Sequence, residues 1–504
     1  MRPTIDKSLI EATGCRNITA LPEHTIAPRV AMGLRWRLGW LLGGLWIGAG
    51  LTSGADAQTF SLVYSFPTFG RPGWYDRPLL LDHCIYGYGP GSGSGSIFRM
   101  NEDGTGYVTI KYFPPTASSG TSSTNSDGAG PMGGLVAIGD TLYGTANVGG
   151  LYGFGTVFSV KTNGDSFTVW KHFAGAPDGK APYAELVVVS NVLYGTTAAG
   201  GDFGKGTVFR MNPDGTDFQF LKGFAGADGL LPLGPLTFSD GVLYGTTLAG
   251  GTWNAGTVFS ILPDGNGFTT LKNFDGVQGA SPRYSLAVSG NWVYGTTTGT
   301  GTQNLVFQLS TDGSQYNVIK SFTPVDPVTY TNTDGSDTES GLVASGSTLF
   351  GTTREGGNYG NGVLFAVQMD GSGYTVLKHF PTATNNSSGN YPNSEGAEPG
   401  RLCMAAPRVL GLTKYGGPAG VGVLFSENVA PRIQPLSGTN AWSGGFGFDI
   451  VGFSNQVVEV DASEELQPLN WVSIGTNIIG GGPVRFVDLG ATNYAQRFYR
   501  LRAW

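Results

Sequence analysis

The sequence repeatedly sets an aromatic residue two positions after a Gly-Gly doublet: Tyr152, Phe203, Trp253 and Tyr359. Such rings offer flat apolar faces that can stack on sugar rings, and a repeated slot would present several of them together. The same recurrence suits a packing role, in which each ring plugs the gap between neighbouring repeats, and its regularity favours that role. A second periodic signal is an acid-Gly step, at Asp127-Gly128, Asp178-Gly179, Asp228-Gly229, Asp334-Gly335 and Glu395-Gly396. These carboxylates could ring a central channel and hold a cation. The favoured alternative is an Asx-type turn in which each accepts local backbone N–H groups. Asn332, Asp334, Asp337 and Glu339 place four hard oxygen donors within eight residues, the ligand type that Ca2+ prefers. Their spacing is neither that of an EF-hand nor that of a nonapeptide calcium repeat, so a solvated polar loop is the competing reading. No other cofactor is implied.

Signatures of catalysis are absent from the sequence. There is no G-x-S-x-G, H-E-x-x-H or P-loop, and the Gly-rich run from Gly89 to Gly95 lacks the strand-then-helix setting of a phosphate cradle. His172 and His379 share one K-H-F slot, which reads as structural, and His83 lies near a predicted turn. A carboxylate-pair glycosidase would need two acids at a set separation, and no pair stands out. The chain has 29 basic and 36 acidic residues; the first 57 hold 6 and 4 of them, leaving 23 against 32 and a net charge of −9. That Lys/Arg-poor balance argues against nucleic acid and anionic membrane surfaces as partners.

These residues ride on a repeat whose anchor is an aromatic-Gly step: Tyr86-Gly87, Tyr143-Gly144, Tyr194-Gly195, Tyr244-Gly245, Tyr294-Gly295, Phe350-Gly351 and, degenerately, Leu410-Gly411. The steps of 57, 51, 50, 50, 56 and 60 residues fall in the range of four-stranded propeller blades. Glycine is 83 of 504 residues without a G-X-Y period, which makes it the punctuation of short strands. Four strands per repeat, A to D, follow from the turn signals, with Asn212 to Gly215 as one C-to-D turn.

Strand sets A to C start near Leu79, Leu135, Leu186, Leu236, Leu286, Leu342 and Leu402, which makes seven. D-type segments ending in Phe follow only six of them, and the seventh, Phe60 to Phe66, precedes the first A strand. The sequence therefore predicts an all-β chain: a seven-bladed β-propeller closed by strand exchange between its two ends, with no long sheet edge left open. Because strand direction alternates, the B-to-C and D-to-A loops share one face. That face also carries the three long insertions, Pro114 to Pro131, Thr323 to Gly341 and Pro381 to Gly400, and it is where binding is expected.

The L-Y-G-T-T and G-G-x-x-G-x-G-T-V-F blocks resemble those of the choice-of-anchor GloVer tandem-repeat proteins, which are exported bacterial proteins. The resemblance covers roughly residues 60 to 426 and is weakest in the first and seventh repeats. It implies export and a repeat fold and says little about activity. The Gly-Gly doublet is also similar to that of kelch blades, although the kelch Trp is not evident.

Residues 1–57 read as a leader and signal peptide, with Arg29, Arg35 and Arg37 before an apolar run from Leu38 to Leu51, then Ala55-Asp56-Ala57; translation could begin at Met32. An extracellular, periplasmic or cell-surface location follows, without membrane insertion after cleavage. The propeller is expected over 58–427. Residues 428–504 show a period-2 pattern through Phe446, Phe448, Ile450, Val458, Val460, Trp471, Val484 and Phe486, which predicts a small β-sandwich for attachment, or a plain accessory module. Cys84 and Cys403 are too far apart along their strands to bond and are expected as free thiols. The function favoured by the sequence is a noncatalytic binding or cell-surface scaffold that recognises glycan or protein. The alternative is a secreted carbohydrate-active hydrolase or lyase on the same scaffold.

Overall fold

β-Branched and aromatic residues between turn glycines give each repeat four short antiparallel strands. In the third repeat strand A is Val187–Val189, B is Val192–Thr197, C is Thr207–Met211 and D is Gln219–Gly223, hydrogen-bonded in that order. Six further four-stranded sheets follow the same plan. The A strands of successive blades approach one another, which puts them around a common axis with the D strands at the rim. The protein is a seven-bladed β-propeller, and all regular structure among the described residues is β. The computed structural model describes residues 60–67, 76–89, 94–119, 122–299, 304–338, 340–384, 390–406, 408–429, 432–435, 446–452, 457–463, 472–479, 484–488 and 498–503. The leader over 1–57 lies outside them, as do Glu339 and Trp471.

The ring closes as the strand count requires. Ala397–Ala405, Arg408–Tyr415 and Val423–Asn428 form strands A to C of blade 7, and Ser61–Ser65, from the other end of the propeller, is its strand D. Ser61 pairs with Ser426 and Leu62 with Phe425.

The aromatic-Gly anchor has a packing explanation. In every blade the anchor glycine on strand B pairs with a phenylalanine on strand C, from Gly87 with Phe98 to Gly411 with Phe425. A Cβ at Gly195 would sit 2.5 Å from the Phe209 ring, and one at Gly245 would sit 2.4 Å from the Phe259 ring. The glycine is needed because the ring lies across it, and all seven phenylalanines are fully buried.

Those phenylalanines are also the centres of the joints between blades. Phe113, at the end of blade 1, meets the Phe158 ring of blade 2 edge-on at 5.2 Å, and Phe158 lies 5.5 Å from Phe167 on the same blade. The arrangement recurs at every interface, through Phe173, Phe209 and Phe218, through Phe224, Phe259 and Phe268, and so on round the ring. At the closing blade Phe380 meets Phe425 at 5.3 Å and Phe60 stacks on Phe425; at the seam Phe66 meets Phe98 at 5.5 Å. The exchanged strand thus completes two of the seven joints.

Beyond the propeller, Arg432–Pro435, Phe446–Val451 and Val484–Asp488 form one three-stranded sheet, and Val472–Ile478, Val457–Ser463 and Phe498–Ala503 another. Phe448, Ile450 and Phe486 of the first share an apolar cluster with Val458 and Val460 of the second. Cys403 is a buried free thiol. Cys84 is disulfide-bonded, which departs from the expectation of two free thiols.

Truncating Phe66 to alanine removes a fully buried ring from the seam and is expected to lower unfolding free energy by about 3–5 kcal/mol in urea titration, whereas Leu62→Ala, at a more exposed position of the same strand, is expected to cost far less. Equal midpoints for the two variants would exclude the exchanged strand as a structural member.

Candidate functional site: the insertion face

The B-to-C loops display their aromatics by a local turn. In blade 3 Gly200 and Gly201 take left-handed φ values of +77° and +74°, which favour glycine. The N–H of Gly204 then donates to the Gly201 carbonyl, closing a turn with Phe203 at its third position. Equivalent bonds run from Gly153 to Gly150, from Asn254 to Gly251 and from Gly360 to Gly357. The turn tip projects, so Tyr152, Phe203, Trp253 and Tyr359 are 52, 61, 66 and 52% exposed. They do not plug the gaps between blades; the buried triads already fill those gaps.

The acid-Gly carboxylates share a partner that neither expectation includes. Each pairs with the lysine two residues before the terminal phenylalanine of strand D: Lys111 with Asp127, Lys171 with Asp178 at 2.6 Å, Lys222 with Asp228, Lys320 with Asp334 and Lys378 with Glu395. The same lysines lie over the strand D aromatic of the next blade, 3.8 Å from the Phe167 centroid for Lys111 and 3.9 Å from Phe218 for Lys171. The acids therefore anchor cation–π contacts at the rim and do not ring the channel. Some also serve as turn acceptors, as Asp228 does for the Ala225 N–H. Blade 5 has Gln278 in this slot, and at the seam Tyr64 replaces the lysine and stacks on Tyr107 at 4.9 Å.

The residues suggested for Ca2+ are engaged by protein groups. Asp334 takes Lys320 and the Thr323 hydroxyl, and Asp337 pairs with Arg354 at 2.8 Å. Burial pushes the Asp337 carboxyl up, against the pull of Arg354. Asn332 accepts from the N–H groups of Gly335 and Gly357. Glu339 lies outside the described residues, and no group of three potential ligand side chains occurs among those that are described.

Comparison with known proteins fits this repeat-by-repeat reading. The Gloeobacter/Verrucomicrobia repeat model matches residues 83–305, from the A-to-B turn of blade 1 to strand C of blade 5. Over that stretch the chain is similar to GloVer-type repeats. No curated protein sequence matches it. Solved structures similar to it include an oligogalacturonate lyase from Vibrio parahaemolyticus (10% identity, 74% of this chain and 98% of that one, TM-score 0.46). Others are the extracellular domain of a one-component system from B. thetaiotaomicron (12%, 80% and 46%, 0.45) and a gluconolactonase from Xanthomonas campestris (16%, 63% and 94%, 0.36).

Two features of the chain escape a reading of its repeats. The first is how the insertions are held. Asn125, Asn332 and Asn393 each stand three residues before the acid-Gly glycine, accept from its N–H, and accept a second N–H from the next B-to-C loop, at Gly150, Gly357 and Gly417. Blades with short loops use the Gly175 or Gly226 carbonyl for that second bond. N-x-[DE]-G is thus a legible signal for a pinned insertion.

The second feature lies at the axis. Two residues before the A-strand partner of the strand B anchor, the repeats carry Arg77, Gly134, Glu185, Pro235, Ser285, Gly341 and Arg401. Arg77 and Arg401 both pair with Glu185, and Arg401 also donates to the Gly133 carbonyl. Blades 3 and 7 are not neighbours, so this contact crosses the axis and ties blades 1, 2, 3 and 7 together. Burial raises the adjacent Asp76 well above the usual carboxylate range, opposed by the Tyr88 N–H it accepts at 2.5 Å.

Glu185→Gln would leave two guanidiniums without their carboxylate and is expected to cost about 3 kcal/mol, with part recovered in Glu185→Gln/Arg401→Met. Unfolding midpoints of the two variants check this. Asn332→Ala is expected to make its insertion the first site of limited proteolysis while the global melting temperature changes little.

Proposed function

We propose that this chain is an exported, noncatalytic propeller that acts as a binding protein or cell-surface scaffold and recognises glycan through its insertion face. The observation that carries the reading is the set of four exposed aromatic rings at one repeat slot, Tyr152, Phe203, Trp253 and Tyr359. Exposed aromatics are an interaction feature when they recur in a pattern. Here they occupy turn tips on blades 2, 3, 4 and 6, separated from one another by blade width. Separated platforms suit an extended polymer of stackable rings better than one compact protein hot spot, which clusters its anchors.

The noncatalytic part of the reading is supported by the state of the acid-Gly carboxylates and of the acids nearer the axis. Asp127, Asp178, Asp228, Asp334 and Glu395 are held by lysines, Asp337 and Glu398 by Arg354 and Lys414, and Asp76 and Glu185 are buried. None is presented as a pair flanking an open cleft. Export rests on the leader pattern, and the C-terminal sheets are assigned to a small sandwich for attachment.

A glycan array with the chain lacking residues 1–57 tests the reading. Binding without new reducing or unsaturated ends is expected; turnover would favour a hydrolase or lyase, and binding of protein alone would move the assignment to a protein partner. Trp253→Ala is expected to weaken glycan binding about tenfold while stability stays within about 0.5 kcal/mol, since the ring is mostly in solvent.

A further inference from the structure

Two of the turns that carry the exposed aromatics are fastened by histidine. The Leu151 N–H, next to Tyr152, donates to Nδ1 of His172 at 3.2 Å, and the Asn358 N–H, next to Tyr359, donates to Nδ1 of His379 at 3.1 Å. Both histidines stand between the lysine and the terminal phenylalanine of strand D, on blades 2 and 6. In blade 4 the same N–H, that of Thr252, donates instead to Oδ1 of Asn273 at 3.1 Å, from the D strand of that blade. Three of the four aromatic-bearing turns thus have a side-chain acceptor in this slot, where blade 3 has Gly223, and two of the three use one that protonation removes.

The acceptor nitrogen of a neutral imidazole carries no hydrogen, whereas in the imidazolium both nitrogens are donors. A protonated His172 or His379 would turn an N–H towards the N–H of the turn. The loop also stands close to the ring: a Cβ at Gly150 or Gly357 would come within 3.0 Å of the respective Nδ1. We propose that His172 and His379 are pH-sensitive latches that hold the Tyr152 and Tyr359 turns at neutral pH and release them on acidification, while the Asn273-held Trp253 turn stays fixed. The consequence for ligand binding rests on the function proposed above; the latch itself does not.

The charges facing the two rings are few. His172 faces Lys171 of its own strand and Asp127 of the preceding insertion, whose carboxylate is also held by Lys111; His379 faces Lys378 of its own strand. Partial burial lowers both histidines below their usual range, with Lys171 and Lys378 acting in the same direction and Asp127 opposing at His172. The folded state thus takes up fewer protons than the unfolded chain near pH 6, and the stability contributed by these groups is present above about pH 6.5 and lost as pH falls through their folded values.

Hydrogen exchange of the ligand-free full chain at pH 7.5 and pH 5.0, corrected for intrinsic rates, reads the latch directly. Peptides over 149–155 and 357–362 are expected to lose protection several-fold at pH 5.0, while 250–256 keeps it. His172→Asn/His379→Asn, which copies the residue of blade 4, is expected to keep all three protected at both values. Equal protection of the three loops across pH in the unmodified chain would overturn the proposal, as would a pH response that survives in the asparagine variant. If that variant folds poorly, NMR titration of the His172 and His379 imidazoles in the unmodified chain replaces it: their protonation should coincide with the loss of protection, and loops that open at a pH where both rings stay neutral would overturn the latch. Because no ligand is present, a failed latch and a failed glycan assignment are told apart.

Discussion

The aromatic joint between blades is the interaction on which the rest of the molecule depends. A single four-stranded meander cannot bury its own faces, and here each blade is buried by the phenylalanine that its neighbour extends over the rings of its C and D strands. Lysine then lies across the outer ring, and an acidic residue from the following loop holds the lysine in most blades. Ring, cation and acid together set the angle between blades, and with it where every loop on the insertion face emerges.

A joint of this kind must occur at every interface or the ring stays open. The exchanged strand meets that demand with residues that precede the first blade, and it does so with altered chemistry: Tyr64 stands where the other joints have lysine. The axial ion pairs act on the same half of the ring, joining blades 7 and 3 across blades 1 and 2. The seam is therefore braced twice, at its rim by aromatics and at its centre by Glu185 between two arginines.

Much of this was legible in the sequence, because anything set by local spacing repeats seven times. The blade count, the order of strands and the supply of the last strand from Phe60 to Phe66 all follow from counting. The insertion face also follows from strand alternation alone. What could not be read was the use of each repeated group. Spacing alone favours a plugging role for the rings at Tyr152 and its equivalents, whereas the turn bond from Gly153 to Gly150 puts them at a tip. The acids looked like turn residues or a channel ring because their lysine partners are several residues away on another strand. The Asn125 and Glu185 roles depend on contacts between elements far apart in sequence, which periodicity does not report.

The closed ring is tested most directly by a covalent link across the exchanged pair. Ser61 and Ser426 are cross-strand partners in blade 7, and facing strand positions place Cα atoms within the reach of a disulfide. In a Ser61→Cys/Ser426→Cys chain that also carries Cys403→Ser, mild oxidation should join peptides containing positions 61 and 426 of the same molecule, as read by mass spectrometry without reduction. Both thiols remaining open to alkylation in the folded protein, or links formed only between molecules, would contradict closure by strand exchange.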